Sequence, residues 1–143
     1  MRIVAFDPGE RTGFCEALVS DDGSFQVVMS CTIAWRDRFI ETPILLQSNE
    51  TVPLPEIIVV ESFRLYAHKA KDQIGNDFPS AQMIGTIQTY LHQLGILDRL
   101  ILQPASAMSR VQILPDHMPS LDRAEHARDA YKHLRYYIVT HLI

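Results

Sequence analysis

The stretch Ile3-Val4-Ala5-Phe6-Asp7-Pro8-Gly9-Glu10-Arg11-Thr12-Gly13 decides how the rest of the chain is read. Its apolar run, Ile3 to Phe6, has the pattern of a buried strand, and Pro8-Gly9 is a turn that a strand cannot continue through. Asp7 is thereby delivered as a single carboxylate at a strand end. Folding asks for no acid at that point, so Asp7 is either a turn-initiating residue or a ligand held on a rigid element. Two further acids stand in comparable places, Glu61 closing a second apolar strand and Asp129 on a late helix, and they favour the ligand.

Working outward, residues 13 to 20 read as a second strand, and Asp21-Asp22-Gly23-Ser24 is the strongest hairpin signal in the chain, leading into a third strand from Phe25 to Ala34. The three make an antiparallel meander. Residues 35 to 55, with Pro43, Pro53 and Pro55, read as one short helix or an irregular crossover. Glu56-Ile57-Ile58-Val59-Val60-Glu61 is a β-branched run of the kind buried on both faces by helices. Ile84, Ile87, Leu91 and Leu94 then recur at helical spacing up to Gly95, predicting a helix over about residues 80 to 94. Arg99 to Gln103 predicts another short strand, and residues 105 to 119 read as loop. The last helix is expected to start from Ser120 or Asp122, with Asp122 and Glu125 at capping-box spacing. Ala127, Ala130, Leu134 and Ile138 form its inward stripe, with His126, Asp129 and His133 on an adjoining one. Strand order and helix placement together predict an α/β layered fold with one mixed sheet.

Length and composition fit one domain, residues 1 to 143, able to bury a core without disulfides or a structural metal. No apolar run is long enough to span a bilayer, and Met1-Arg2 leads into a strand rather than a signal peptide, so the expected location is cytoplasmic, in a bacterium or a phage-infected host, with no membrane partner. Cys15 and Cys31 fall on neighbouring strands without metal-binding or redox spacing, which predicts reduced, packed thiols. The formal charge of −4 argues mildly against a nucleic-acid binder. Its distribution is uneven, however: residues 1 to 60 hold four basic and nine acidic groups, residues 61 to 143 nine basic and eight acidic. If three of the acids hold metal, the bound cations turn the field around the site positive.

Metal-dependent phosphoryl chemistry needs carboxylates converging from separate rigid elements, because hard divalent cations take oxygen ligands and must be held while the substrate phosphate completes their shells. If the strands beginning at Ile3 and Glu56 are parallel and adjacent, Asp7 and Glu61 emerge at the same carboxyl edge, where ligands bind in open α/β sheets. The last helix can cross that edge with Asp129, and with His126 as a further ligand or proton carrier. Each residue also has an ordinary explanation. Glu61 can be a solvated strand end, Asp129 a surface acid paired with Lys132 or His133, and His126 a half-buried helix histidine. The conjunction of all of them is harder to explain that way.

Asp7-Pro8-Gly9-x-x-Thr12-Gly13, then Val60-Glu61-Ser62-Phe63, then His126-Ala127-Arg128-Asp129-Ala130 resembles the RuvC-type Holliday-junction resolvases, a branch of the RNase H-like superfamily, in its short phage-type members. The resemblance covers nearly the whole chain. It implies an RNase H-like fold with a mixed five-stranded sheet, an antiparallel meander plus parallel strands, flanked by helices. It also implies a homodimer that cuts symmetrically opposed strands of a four-way DNA junction, leaving 5′-phosphate and 3′-hydroxyl ends. Two Mg²⁺ ions per site are expected, with Mn²⁺ as a substitute: Asp7, Asp129 and His126 on the side of the attacking water, Asp7 and Glu61 on the side of the leaving 3′ oxygen.

The stretch after Glu61 interleaves aromatics with bases, so Arg64, Lys69 and Lys71 are candidates to neutralise phosphates and Phe63 and Tyr66 to stack on unpaired bases. Arg11 and Arg110 are further candidates for backbone contacts. Three other readings stay open at this point. An RNase H-like nuclease for other branched DNA or RNA/DNA hybrids would use the same residues; a non-catalytic junction-binding protein would keep the surface without the chemistry. An actin-like ATPase would need a second Gly-rich phosphate loop, which the sequence lacks.

Overall fold

The computed structural model describes residues 1–47, 51–63 and 77–143. Strands β1 (Arg2–Asp7), β2 (Arg11–Val19) and β3 (Phe25–Ala34) form the expected meander, and a 3₁₀ turn, Trp35–Asp37, leads into helix α1 (Arg38–Leu46). Strand β4 (Ile57–Glu61), helix α2 (Pro79–Gln93), strand β5 (Leu100–Gln103) and helix α3 (Glu125–His141) follow. The described residues make a five-stranded mixed sheet in the order β3-β2-β1-β4-β5, antiparallel between β1, β2 and β3 and parallel from β1 to β4 to β5. No helix among the described residues is long and apolar enough to cross a membrane.

Side-chain alternation along the strands divides the core in two. Ile3 and Ala5 of β1, Cys15 and Ala17 of β2 and Val59 of β4 pack with Ala130, Tyr131, Leu134 and Ile138 of α3. Val4, Phe6, Phe14, Ile58 and Val60 face the other way, against Leu46 of α1 and Met83, Ile87 and Leu91 of α2. The sheet is therefore a layer between helices. Both cysteines are free; burial pushes the Cys31 thiol up to about 11 and that of Cys15 higher still, so they pack as inert thiols.

Two polar ties hold the helices and crossovers on. Arg2 is buried at the start of β1; its Nε donates to Glu16 Oε1 at 2.9 Å, and its other nitrogens donate to the carbonyls of Pro53 and Leu45. A buried cation with its donors satisfied can thus pin the crossover after α1 to the sheet. Pro43, inside α1, has no N–H for the carbonyl of Phe39 one turn earlier, and the Tyr90 hydroxyl of α2 donates to that carbonyl at 2.9 Å.

Two local expectations need correction. Residues 105 to 119 hold two 3₁₀ helices, Ala105–Arg110 and Pro115–Ser120, rather than plain loop; His117 of the second is bound between the Tyr131 hydroxyl and the Phe25 carbonyl. The capping box does not form either. Helix α3 begins at Glu125 with Ala124 as its N-cap and no side-chain cap, because the Asp122 carboxylate is already used two residues upstream, accepting the Ala124 N–H at 2.9 Å.

Candidate active site

The parity that divides the core also aims the acids. Asp7 continues the Ile3, Ala5 face of β1, Glu61 the Val59 face of β4, and Gln103 the Ile101 face of β5, so all three polar strand ends point to the α3 side. Because β1, β4 and β5 run parallel, those ends lie together at one carboxyl edge. The conditional geometry argued from sequence is what the sheet provides.

The Pro-Gly turn after Asp7 is closed by Thr12, whose Oγ1 accepts the Gly9 N–H at 3.3 Å and donates to the Gly9 carbonyl at 3.2 Å. Gly13 lies opposite Asp7 in the antiparallel register. A Cβ at Gly13 would stand 1.8 Å from the His126 carbonyl oxygen, so the absence of a side chain is what lets the first turn of α3 lie on β2. From there His126 reaches over, its Nδ1 3.0 Å from Asp7 Oδ2. The Asp-Pro-Gly-x-x-Thr-Gly pattern therefore has a role for each fixed position: a carboxylate, a turn, a clasp and a seat for the helix.

Asp7 is buried, and this drives its pKa from 3.8 up to about 6; the His126 hydrogen bond offsets part of the rise, and the charges of Glu61 and Asp129 add to it. Glu61 and Asp129 therefore both lie close enough to Asp7 to act on its charge. Each also has a basic neighbour: His126 for Asp7, His133 for Glu61 at 2.8 Å, and Lys132 for Asp129 at 3.5 Å. Among the described residues no three acid, histidine or cysteine side chains stand as a preformed metal-coordinating group. The donor set nevertheless has the chemistry of a hard-cation site, three carboxylates and an imidazole, with Asp7 held at a raised pKa that a positive charge would reverse.

His133 and Gln103 are the residues that sequence reasoning missed. His133 is fully buried, with Nε2 on Glu61 Oε2 and Nδ1 2.9 Å from Gln103 Oε1, so it fixes the Glu61 carboxylate through one nitrogen and is itself aimed through the other. The signal was present: His133 shares the stripe of His126 and Asp129, and Gln103 is a polar residue closing an apolar strand. Of the surface residues, Phe63 is partly exposed with its ring 5.4 Å from that of Phe78, Arg11 is exposed at the start of β2, and Arg110 lies beside Tyr136, 3.5 Å from its hydroxyl and about two turns along α3 from Asp129. Arg64, Tyr66, Lys69 and Lys71 lie outside the described residues.

No protein-family model matches the sequence, and no curated protein matches it. Solved structures do. RuvC of Thermus thermophilus superposes with a TM-score of 0.69 at 13% identity, covering 99% of this chain and 98% of that one. The T. thermophilus RuvC in complex with Holliday junction substrate gives 0.68 at 11% identity, covering 96% and 92%. The Fowlpox virus resolvase, in complex with substrate Holliday junction DNA, gives 0.62 at 11% identity over the full length of both chains. With the sheet order, the helix layers and the end-to-end superpositions in agreement, this chain has the RNase H-like fold of the RuvC-type resolvases.

Proposed function

We propose that the protein is a metal-dependent endonuclease that acts on branched DNA and, as a homodimer, resolves four-way junctions by paired symmetric nicks. The observation that carries this is the convergence of Asp7, Glu61 and Asp129 from two parallel strand ends and a crossing helix, with His126 bonded to Asp7. Two of the superposed structures were solved with Holliday junction DNA, which favours a junction over other nucleic acids as the substrate to test first.

Asp7, Glu61, Asp129 and His126 would hold Mg²⁺, with Mn²⁺ as a substitute. Such a cation, when bound, supplies charge neutralisation at the scissile phosphate and lowers the pKa of a coordinated water. The chain's own residues do the rest. The His126 ring orients Asp7 through Nδ1, and its side chain is open enough, 42% exposed, to hold or pass a proton at the other nitrogen. His133 restrains Oε2 of Glu61 and leaves Oε1 for the ligand. A junction cut on opposed strands requires two such sites related by a two-fold axis, which a homodimer provides.

The test is cleavage of end-labelled four-way junction, replication fork and plain duplex with Mg²⁺, Mn²⁺ or EDTA, by the wild type and Asp7→Asn. Symmetry-related nicks on the junction, lost in EDTA and in the variant, are the expected result. Equal cutting of fork and junction would reassign the protein to a general branched-DNA nuclease, and tight junction binding without cleavage in any metal would leave a binding protein.

A further inference from the structure

Beside the acids lies a second feature that the cleavage chemistry does not use. A groove of about 940 Å³ runs between the 3₁₀ turn at Trp35 and the start of α2, lined by Arg11, Trp35, Arg38, Phe63, Phe78 and Gln82. It shares Phe63 and Ser80 with a smaller cleft that contains Glu61 and Pro8, so it opens directly from the catalytic edge.

Its walls combine ring faces with positive charge. The Arg38 guanidinium sits 3.7 Å from the centroid of the Trp35 ring and 4.3 Å from that of Phe39, and Nη1 donates to the Trp35 carbonyl at 2.7 Å, which fixes the side chain at the groove wall. Among the described residues neither Arg38 nor Arg11 has an ion-pair partner. Opposite them, the Phe63 and Phe78 rings pack 5.4 Å apart. Phe78 holds a left-handed backbone, φ 47°, ψ 70°, as the N-cap of α2. An aromatic residue adopts that conformation only under constraint, and such strain concentrates at ligand sites. Two acids, Glu10 and Asp77, also line the groove. They oppose a ligand dense in phosphate, such as a duplex, and are tolerable to one offering base faces and only a phosphate or two.

We propose that this groove is a binding site for unpaired nucleotides of single-stranded DNA, in which Trp35 stacks on a base and Arg38 and Arg11 meet its phosphates. The proposal rests on the nuclease reading only in taking the ligand to be DNA; the chemistry is that of stacking platforms flanked by cations, which select exposed base faces without reading sequence.

Trp35 is the only tryptophan in the chain, so its fluorescence reports on this groove alone. The experiment is a titration in EDTA of the full chain with a short oligothymidylate, a four-way junction with unpaired central bases, a hairpin duplex of matched charge, and polyglutamate, alongside anisotropy of the same DNAs carrying a label. Saturable quenching by the oligothymidylate and the junction, with little from the duplex or polyglutamate, is expected, and Trp35→Ala and Arg38→Gln should each weaken oligothymidylate binding about tenfold while Trp35→Phe retains most of it. Arg38→Gln keeps the ring in place should Trp35→Ala fail to fold. Binding of the labelled oligothymidylate with unchanged Trp35 emission, quenching by the duplex or polyglutamate as strong as by the oligothymidylate, or unchanged affinity in Arg38→Gln would each overturn the proposal. Quenching without cleavage in any metal would sink the nuclease reading and leave the groove standing; junction cleavage with an unresponsive Trp35 would do the reverse.

Discussion

The carboxyl of Asp7, raised to about 6 mainly by burial, ties the stability of the metal-free protein to pH. Its folded pKa lies above the unfolded value, so its contribution is fully present below about pH 4 and is lost as pH rises through about 6. Above that, the buried charge costs up to about 3 kcal/mol. In EDTA the thermal midpoint should therefore fall between about pH 4 and 7, and Asp7→Asn, which carries no charge, should melt several degrees above wild type at about pH 7 while cutting nothing. Calorimetry across pH checks this; a flat profile in wild type would contradict it. His133 makes a second prediction. Replacing it by Ala frees Glu61 and Gln103 at once, and loss of a residue that orients the carboxylate proposed to bind metal should raise the Mg²⁺ concentration needed for cleavage by about ten- to a hundredfold, read from an Mg²⁺ titration of rate. As candidates, Asp7, Glu61, His126 and Asp129 were legible in the sequence because an acid closing an apolar strand, or a His-x-x-Asp pair on a helix, stands out where it is. His133 and Gln103 gain meaning only once β5 is known to lie beside β4 and under α3, and no local pattern states that.

At the scale of elements, the seat of α3 on β2 can be tested with a matched pair of glycines. Gly13→Ala puts a methyl 1.8 Å from backbone of the helix, which cannot yield without moving His126 and Asp129 off the edge. It should cost about 1–3 kcal/mol or more and abolish cleavage. Gly85→Ala on α2 meets nothing within 4 Å and should instead stabilise by roughly 0.5–1 kcal/mol with cleavage intact. Urea unfolding of both variants, alongside cleavage, separates the two effects. The strands and the two long helices were readable because each buries a periodic face. The start of α3 was misread because Asp122 had a nearer amide to satisfy than the helix end, and the 3₁₀ helices escaped because short turns bury too little to leave a period.

The whole molecule depends on a charge far from its candidate site. Arg2 and Asp7 occupy opposite ends of β1, so the buried Arg2–Glu16 pair, 2.9 Å apart, holds the crossover to the sheet roughly 17 Å from the acids. Arg2→Ala should lose about 3–5 kcal/mol, because Glu16 is left buried without its counterion, while the fraction still folded at low temperature cuts at the wild-type rate. Denaturant melts and rates normalised to folded protein decide the point. The sheet order could be anticipated from the parallel requirement on Asp7 and Glu61, but the Arg2 tie could not, since its carbonyl partners carry no side-chain signature.

The bond between His126 and Asp7 joins positions 119 residues apart along the chain, so the candidate site closes a loop of most of the chain. Contacts of such separation form late, after the local hairpin and helices. On that ordering, a chain folded only as far as the sheet has Asp7 and Glu61 at one edge but lacks His126 beside them. If the site cuts DNA as proposed, that ordering is a form of latency, with reactivity withheld until the fold is complete.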